Sequence, residues 1–215
     1  MSARLVLATR NAHKVGELRS ILASALGEDV EVLAAGDLGL PDVPETGVTF
    51  AANALLKARA VAAATGLPAV ADDSGIAVDV LGGAPGIFSA RWSGRHGDDA
   101  ANLALLLAQV ADVPDEHRGA QFVCAAALVT PDGAEHVELG HLRGTLARAP
   151  RGEHGFGYDP ALVPEGLDVT CAELSPAQKE AISHRGQAFR ALAPVVASAL
   201  GRDGAGGPPP SRGSA

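Results

Sequence analysis

Aromatic side chains are scarce. Five Phe, one Tyr and one Trp make up 3 % of the 215 residues, so a place where two of them stand together is unlike filler. Cysteine is scarcer still: Cys124 and Cys171 lie far apart with no CxxC pair, which argues against a disulfide framework or a cysteine zinc site. Two buried thiols in a reducing cytoplasm are the expectation. No apolar run approaches the roughly twenty residues of a membrane span, and Leu5 to Ala8 is too brief for the core of a signal peptide. Basic tracts are missing too, with 17 Lys plus Arg against 25 Asp plus Glu, a net charge of −8. That balance turns away long nucleic acids and leaves room for a local cationic pocket that holds a small anion. A soluble cytoplasmic protein, with neither membrane nor long nucleic acid as a partner, is expected.

The hydrophobic content of 47 % is enough for a core without disulfide or metal staples. Leu5 to Ala8 reads as a buried strand, and Asn11 then caps a helix with apolar residues at Val15, Leu18, Ile21, Leu22 and Leu26. Val30 to Ala34 reads as a second strand, Gly36 to Thr49 as a loop, and Thr49 as the cap of an alanine-rich helix reaching about Thr65. Two strand-like pieces, Ala69 to Ala71 and Ile76 to Val80, are interrupted by Asp72-Asp73-Ser74-Gly75. A helix is expected from about Asp98 to Val110. Gln121 to Thr130 and Glu135 to Arg148 flank Pro131-Asp132-Gly133 as a β-hairpin. Beyond a glycine-rich loop from Arg151 to Pro160, the capping box Ser175-Pro176-Ala177-Gln178 opens a helical region to about Leu200. The fold class is α/β, a mixed central β-sheet flanked by helices. Residues 1–200 are expected to form a single domain with two lobes, and residues 201–215 a disordered Gly/Pro/Ser-rich tail.

Four segments carry candidate chemistry. Thr9-Arg10-Asn11-Ala12-His13-Lys14 lies between a strand and the helix that follows, where free N–H groups and the helix dipole attract an anion. It also fits an ordinary Asn-capped turn with a solvated lysine, and the P-loop signature is absent. Asp72-Asp73-Ser74-Gly75 ends an apolar strand; if the strand continues, its two carboxylates point opposite ways and serve different purposes, one holding a hard cation in a cleft. As turn chemistry alone it is equally good. Phe156-Gly157-Tyr158-Asp159-Pro160 places two aromatics around a glycine, able to stack on a planar ring while Asp159 or backbone groups read its edge, or to form a small satellite cluster. Ser183-His184-Arg185, one turn beyond Lys179, offers donors suited to phosphate or a carbonyl, and also reads as a solvated basic face. Lys14, Lys57 and Lys179 are the only lysines, and each falls in or beside a candidate segment.

Together these segments resemble the inosine/xanthosine triphosphate pyrophosphatase family. The matching blocks are ATRNAHKVGEL (8–18), ETGVTFAANALLKARA (45–60), ADDSGIAVDVLGGAPGIFSARWSG (71–94), GFGYDP (155–160) and ELSPAQKEAISHRGQA (173–188), in the family's order. The resemblance implies an elongated two-lobed α/β fold with the active-site cleft between the lobes, a homodimer, and Mg²⁺-dependent cleavage (Mn²⁺ able to substitute) of ITP, dITP or XTP to monophosphate and pyrophosphate. Thr9 to Lys14 would hold the triphosphate, and Lys57 would help to neutralise it. Glu45 and Asp73 would hold the metal, with Asp73 also accepting the proton of the attacking water. Phe156, Gly157, Tyr158 and Asp159 would hold the base together with His184 and Arg185, while Lys179 and Ser74 complete the substrate contacts. Three positions depart from the family pattern: Ala52 stands where an acidic residue is usual, and Phe88 and Trp92 where tyrosines are common.

Overall fold

The computed structural model describes residues 3–9, 12–27 and 29–201, and of residues 12, 13, 17 and 25 the backbone alone. Arg10, Asn11, the side chains of Ala12 and His13, and the tail from residue 202 onward therefore lie outside the described residues. Strand β1 (Ala3–Leu7) leads into helix α1 (Ala12–Leu26), β2 (Val30–Ala34), α2 (Phe50–Thr65) and β3 (Ala69–Val78). Next come α3 (Asp99–Gln109), β4 (Gly119–Val129), β5 (Glu135–Leu146), β6 (Leu162–Pro164), α4 (Pro176–Ile182) and α5 (His184–Ala199). The strands form one sheet in the order β2-β1-β3-β4-β5-β6. β1 runs parallel to β2 and β3, and the remaining pairs are antiparallel, so the sheet is mixed as expected.

Side-chain alternation along the strands assigns the two faces. Leu5, Leu7, Val70, Cys124, Ala126 and Leu128 pack with Leu18 and Leu22 of α1 and Phe189 and Leu192 of α5. Their neighbours Val6, Ala69, Ala71, Ala125 and Ala127 face the other way, onto Ala54, Ala58 and Val61 of α2. A third cluster fills the far end of the long strands, where Ile76, Val78, Phe122 and Leu142 meet Leu103 and Leu106 of α3 together with Tyr158 and Leu162. β3 and β4 thus run through more than one core.

Caps end the helices where their residues dictate. Thr49 accepts from the Ala52 N–H at the start of α2, and Gly66, at φ 66°, closes it in the left-handed conformation that glycine tolerates best. The hairpin of β4 and β5 turns at residues 130–134 as expected. Two expectations need correction. Asp72 to Gly75 do not interrupt a strand: β3 is continuous from Ala69 to Val78, paired with β4 throughout, because cations from three helices neutralise the charges that made the segment look like a turn. The C-terminal helical region is not one helix. It breaks at Ser183, whose extended backbone (φ −61°, ψ 142°) ends α4 while its hydroxyl accepts from the Gly186 N–H to cap α5.

Candidate active site

Because β3 continues through Asp72-Asp73-Ser74, alternation sends Asp72 and Ser74 to the α1/α5 face and Asp73 to the α2 face. Asp72, 2 % exposed, accepts from Lys14 Nζ at 2.9 Å, from Arg185 Nε at 3.3 Å and from Ser74 Oγ at 3.5 Å. Arg185 Nη2 also donates to Ser74 Oγ at 3.1 Å. Burial alone would raise the Asp72 carboxyl, but Lys14, Arg185 and Lys57 outweigh it and hold the group well below the usual carboxylate range. Asp72 is the fixed counter-ion of the cleft.

On the opposite face Asp73 meets α2. Asn53 Nδ2 donates to Asp73 Oδ2 at 2.9 Å, and Lys57 Nζ, one helical turn further along, lies 3.7 Å from Asp73 Oδ1 and donates to Glu45 Oε1 at 2.7 Å. Two carboxylates therefore share one ammonium. Burial, opposed by Lys57 and reinforced by Glu45, pushes the Asp73 carboxyl up. Lys57 is also raised: the pull of Asp72, Asp73 and Glu45 exceeds the cost of its burial. The adjacent carboxylates thus acquire opposite character, Asp72 a weaker base and Asp73 a stronger one.

The other end of the cleft is the loop 155–160. Gly155 adopts φ 77°, and a side chain there would collide with the Asp159 carboxylate, which accepts from the Phe156 N–H at 2.8 Å and from Lys179. Gly157 N–H donates to Asp99 Oδ2 at 3.0 Å, and Tyr158 Oη to the Ser89 carbonyl at 2.8 Å. Tyr158 is buried in the α3 cluster, so it and Asp159 hold the shape of the loop. The exposed ring of the loop is that of Phe156, 41 % exposed, with Lys179 Nζ 5.3 Å and Arg185 Cζ 5.9 Å from its centroid.

α5 settles its first residues directly on the sheet, since a side chain at Gly140 of β5 would strike the His184 carbonyl. The His184 ring stacks on Phe122, centroids 5.0 Å apart, and its Nδ1 is buried without a hydrogen-bond partner. Burial first, then Arg185 and Lys179, push the imidazole well below its ordinary value, so it is neutral. His184 and Arg185 are buried, which overturns the reading of this segment as a solvated basic face. Nor do Lys179 and Arg185 share a helix: they come from α4 and α5, turned inward by the break at Ser183.

One cleft of about 670 Å³ gathers Thr9, Lys14, Glu45, Lys57, Asp73, Ser74, Phe156, Gly157, Lys179, His184 and Arg185, with Asp72, Tyr158 and Asp159 in its walls. The sequence suggests that the second carboxylate of the Asp72-Asp73 pair caps a turn or accepts backbone hydrogen bonds, whereas Asp72 accepts from the side chains of Lys14, Arg185 and Ser74; it gives Asn53 and Asp99 no task. The signal for Asn53 was an uncapped polar residue inside an alanine-rich helix, four positions before Lys57; Asp99 offered none beyond a helix start. Trp92 donates to Gln109 Oε1 at 2.8 Å, and Ala52 brings no polar side-chain atom.

Fold and site define a mixed-sheet α/β protein with one cleft that brings carboxylates and ammonium groups together with an exposed aromatic ring. The profile of the Ham1 family matches residues 5–195, and the chain belongs to that family. It is 69 % identical over 199 residues to the dITP/XTP pyrophosphatase of Streptomyces coelicolor, covering 92 % of this chain and 99 % of that protein. Among solved structures, the nucleoside-triphosphatase / dITP/XTP pyrophosphatase of Mycobacterium abscessus is 56 % identical with a TM-score of 0.73, covering 89 % of this chain and 99 % of that one. A HAM1 protein from Coxiella burnetii, 40 % identical, superposes with a TM-score of 0.83 over 91 % of this chain and 98 % of that one.

Proposed function

We propose that the protein hydrolyses ITP, dITP and XTP to the nucleoside monophosphate and pyrophosphate, removing non-standard purines from the nucleotide pool. One observation carries the reading: the Glu45–Lys57–Asp73 group, two carboxylates to one ammonium, lines the same cleft as the Phe156 ring and His184, so a phosphate chain accompanied by a divalent cation and a planar base each meet a matching surface.

Lys14 and Lys57, with Thr9 beside them in the cleft, bind the phosphate chain. Asp73, raised toward the basicity a proton acceptor needs, takes the proton as water oxygen attacks the α-phosphorus. The bond from that phosphorus to the α,β-bridging oxygen breaks, and pyrophosphate leaves. Phe156 stacks on the base, while His184, a neutral imidazole lining the cleft, donates to the 6-keto oxygen. Adenine presents an amino group there, leaving a buried donor unpaired at a cost of about 1–3 kcal/mol.

A divalent metal fits the residues present. Glu45 and Asp73 offer hard oxygen donors on facing elements, and among the described residues no cluster of three or more His, Cys, Asp or Glu forms a closed cage. Two carboxylates completed by substrate phosphates are the ordinary protein share of a Mg²⁺ site, and Mn²⁺ shares its preference for oxygen. Such an ion, when bound, neutralises phosphate charge and polarises the phosphoryl group.

The test is purified protein with Mg²⁺ and a panel of ITP, XTP, ATP, GTP and dTTP, following pyrophosphate and monophosphate. Pyrophosphate from ITP and XTP is expected at about 5–150 times the kcat/KM for ATP, the ratio corresponding to that unpaired donor. Equal turnover of ATP and ITP, or orthophosphate as the primary product, overturns the proposal.

A further inference from the structure

Asn53 is fully buried in α2 beside the apolar Ala54, Ala58, Val61 and Ala62, and its side chain makes a hydrogen bond at each end. Nδ2 donates to Asp73 Oδ2 at 2.9 Å, and Oδ1 accepts from the Gly47 N–H at 2.8 Å. Gly47 lies two residues beyond Glu45, in the loop that delivers that carboxylate to the cleft. It sits so close to Asn53 that a side chain at 47 would come within 2.7 Å of Asn53 Oδ1. One amide thus spans from the strand that carries Asp73 to the loop that carries Glu45. Lys57, four residues later on the same helix face, is the charged counterpart that meets both carboxylates.

We infer that Asn53 is a positioning residue for the divalent-metal site, fixing the orientation of Asp73 and the placement of the Glu45 loop through one buried amide. The inference rests on the reading of Glu45 and Asp73 as the metal's protein ligands. The residue type suits the task. An amide donates and accepts at opposite ends of one short side chain, so it can hold a carboxylate and a backbone N–H together. Being neutral, it orients Asp73 without adding a second positive charge to compete with a cation for the same carboxylate. Asn53 reaches the site through Asp73 and Gly47, so its removal acts on metal binding before nucleotide binding.

The experiment measures Mn²⁺ binding by electron paramagnetic resonance, at equilibrium and without turnover, for the full chain and for Asn53→Ala and Asn53→Leu. Leucine removes both hydrogen bonds with little change in volume, and circular dichroism and thermal melting establish that each protein is folded. Folded variants should bind Mn²⁺ about 10–100-fold more weakly, the usual loss when a group orienting a metal ligand is removed. Their KM for ITP at saturating metal should change far less than the metal requirement. Folded variants with wild-type Mn²⁺ affinity overturn the inference. If both variants misfold, the wild-type protein decides: the Asn53 side-chain NH₂ resonance should shift when Mg²⁺ alone is added, and an unmoved resonance overturns it. Wild-type protein that binds no Mn²⁺ refutes the metal reading itself, and is distinguished from failure of the Asn53 inference by that control.

Discussion

Replacing Asp72 with Asn removes one charge from the centre of a buried cluster and changes its volume hardly at all. The carboxylate accepts from Lys14 at 2.9 Å and from Arg185 at 3.3 Å, and the Arg185 side chain is itself 4 % exposed. Without the carboxylate between them, two cations are held close in a medium that screens poorly. Breaking a buried ion pair by removing one partner costs about 3–5 kcal/mol, against a total stability of roughly 5–15 kcal/mol. At about 2–4 °C per kcal/mol for a chain of this size, melting should fall by about 6–20 °C. The pH dependence has a definite sign. Because the folded carboxyl titrates well below its unfolded value of about 3.9, its contribution is fully present above that value and is lost as pH falls through the folded one. Wild-type and variant melting curves should therefore stay separated from neutral pH down to about 5 and converge below about 4. Differential scanning fluorimetry at low ionic strength, with chelator present, reads both effects. Added pyrophosphate, whose oxygens can stand in for the missing carboxylate, should stabilise the variant more than the wild type. Melting within about 2 °C of wild type at neutral pH, or a gap that stays constant into acid, refutes the assignment of Asp72 as structural counter-ion.

Asp73→Asn should lower kcat about 10²–10⁴-fold in pyrophosphate-release assays. Since burial, opposed by Lys57 and helped by Glu45, raises the folded carboxyl above its unfolded value, the ionised group costs stability at neutral pH, and the metal-free variant should melt there at or above wild type. Phe156→Ala should raise KM for ITP and XTP alike by about 5–150-fold, the equivalent of about 1–3 kcal/mol for a lost base–aromatic stack, with kcat changed much less. His184→Ala should narrow the preference for ITP over ATP in kcat/KM by about 5–150-fold. Because burial and its cationic neighbours keep the imidazole neutral, the wild-type preference should stay flat across neutral pH; a preference that follows the titration of an ordinary histidine refutes that role.

The elements that were legible in the sequence are those whose signal is local. Thr49, the Ser175 capping box, the Pro131-Asp132-Gly133 hairpin and the periodicity of α1 all depend on residues within a few positions of one another, and all stand where expected. The misreadings share one cause, which is tertiary neutralisation. Asp72-Asp73-Ser74-Gly75 looks like a turn because two adjacent carboxylates ought to seek water; Lys14, Lys57 and Arg185, up to 113 residues away, remove that need. Ser183-His184-Arg185 looks solvated for the same reason, until Asp72 accepts the arginine and Phe122 covers the histidine. Tyr158, beside Phe156 in the sequence, gives its hydroxyl to the Ser89 carbonyl and part of its ring to the α3 core while it lines the cleft, partners that no local signal names.

Net charge says little about how such a chain receives a triphosphate; the pairing inside the cleft says more. Lys14 and Arg185 are paired with Asp72, Lys57 with Glu45 and Asp73, and Lys179 with Asp159. These four cations already face four carboxylates, and with Arg91, Asp42 and Asp99 the lining sets five Lys and Arg against six Asp and Glu, so among the described residues the cleft has no surplus of positive charge to give away. A polyanion entering it must either pull cations off their carboxylates or arrive with positive charge of its own. Asp72 and Asp159 are buried and hold their partners tightly, so breaking those pairs is costly. The Glu45–Lys57–Asp73 group is different, since two carboxylates lean on one ammonium and the Asp73 carboxyl is raised, by burial first and by Glu45 after it, against the pull of Lys57. Glu45 and Asp73 would hold a divalent ion brought with the phosphates, and its charge would relieve the shortage where it exists. The imbalance at Asp73 and the need of the substrate for a counter-ion are one electrostatic problem with one solution.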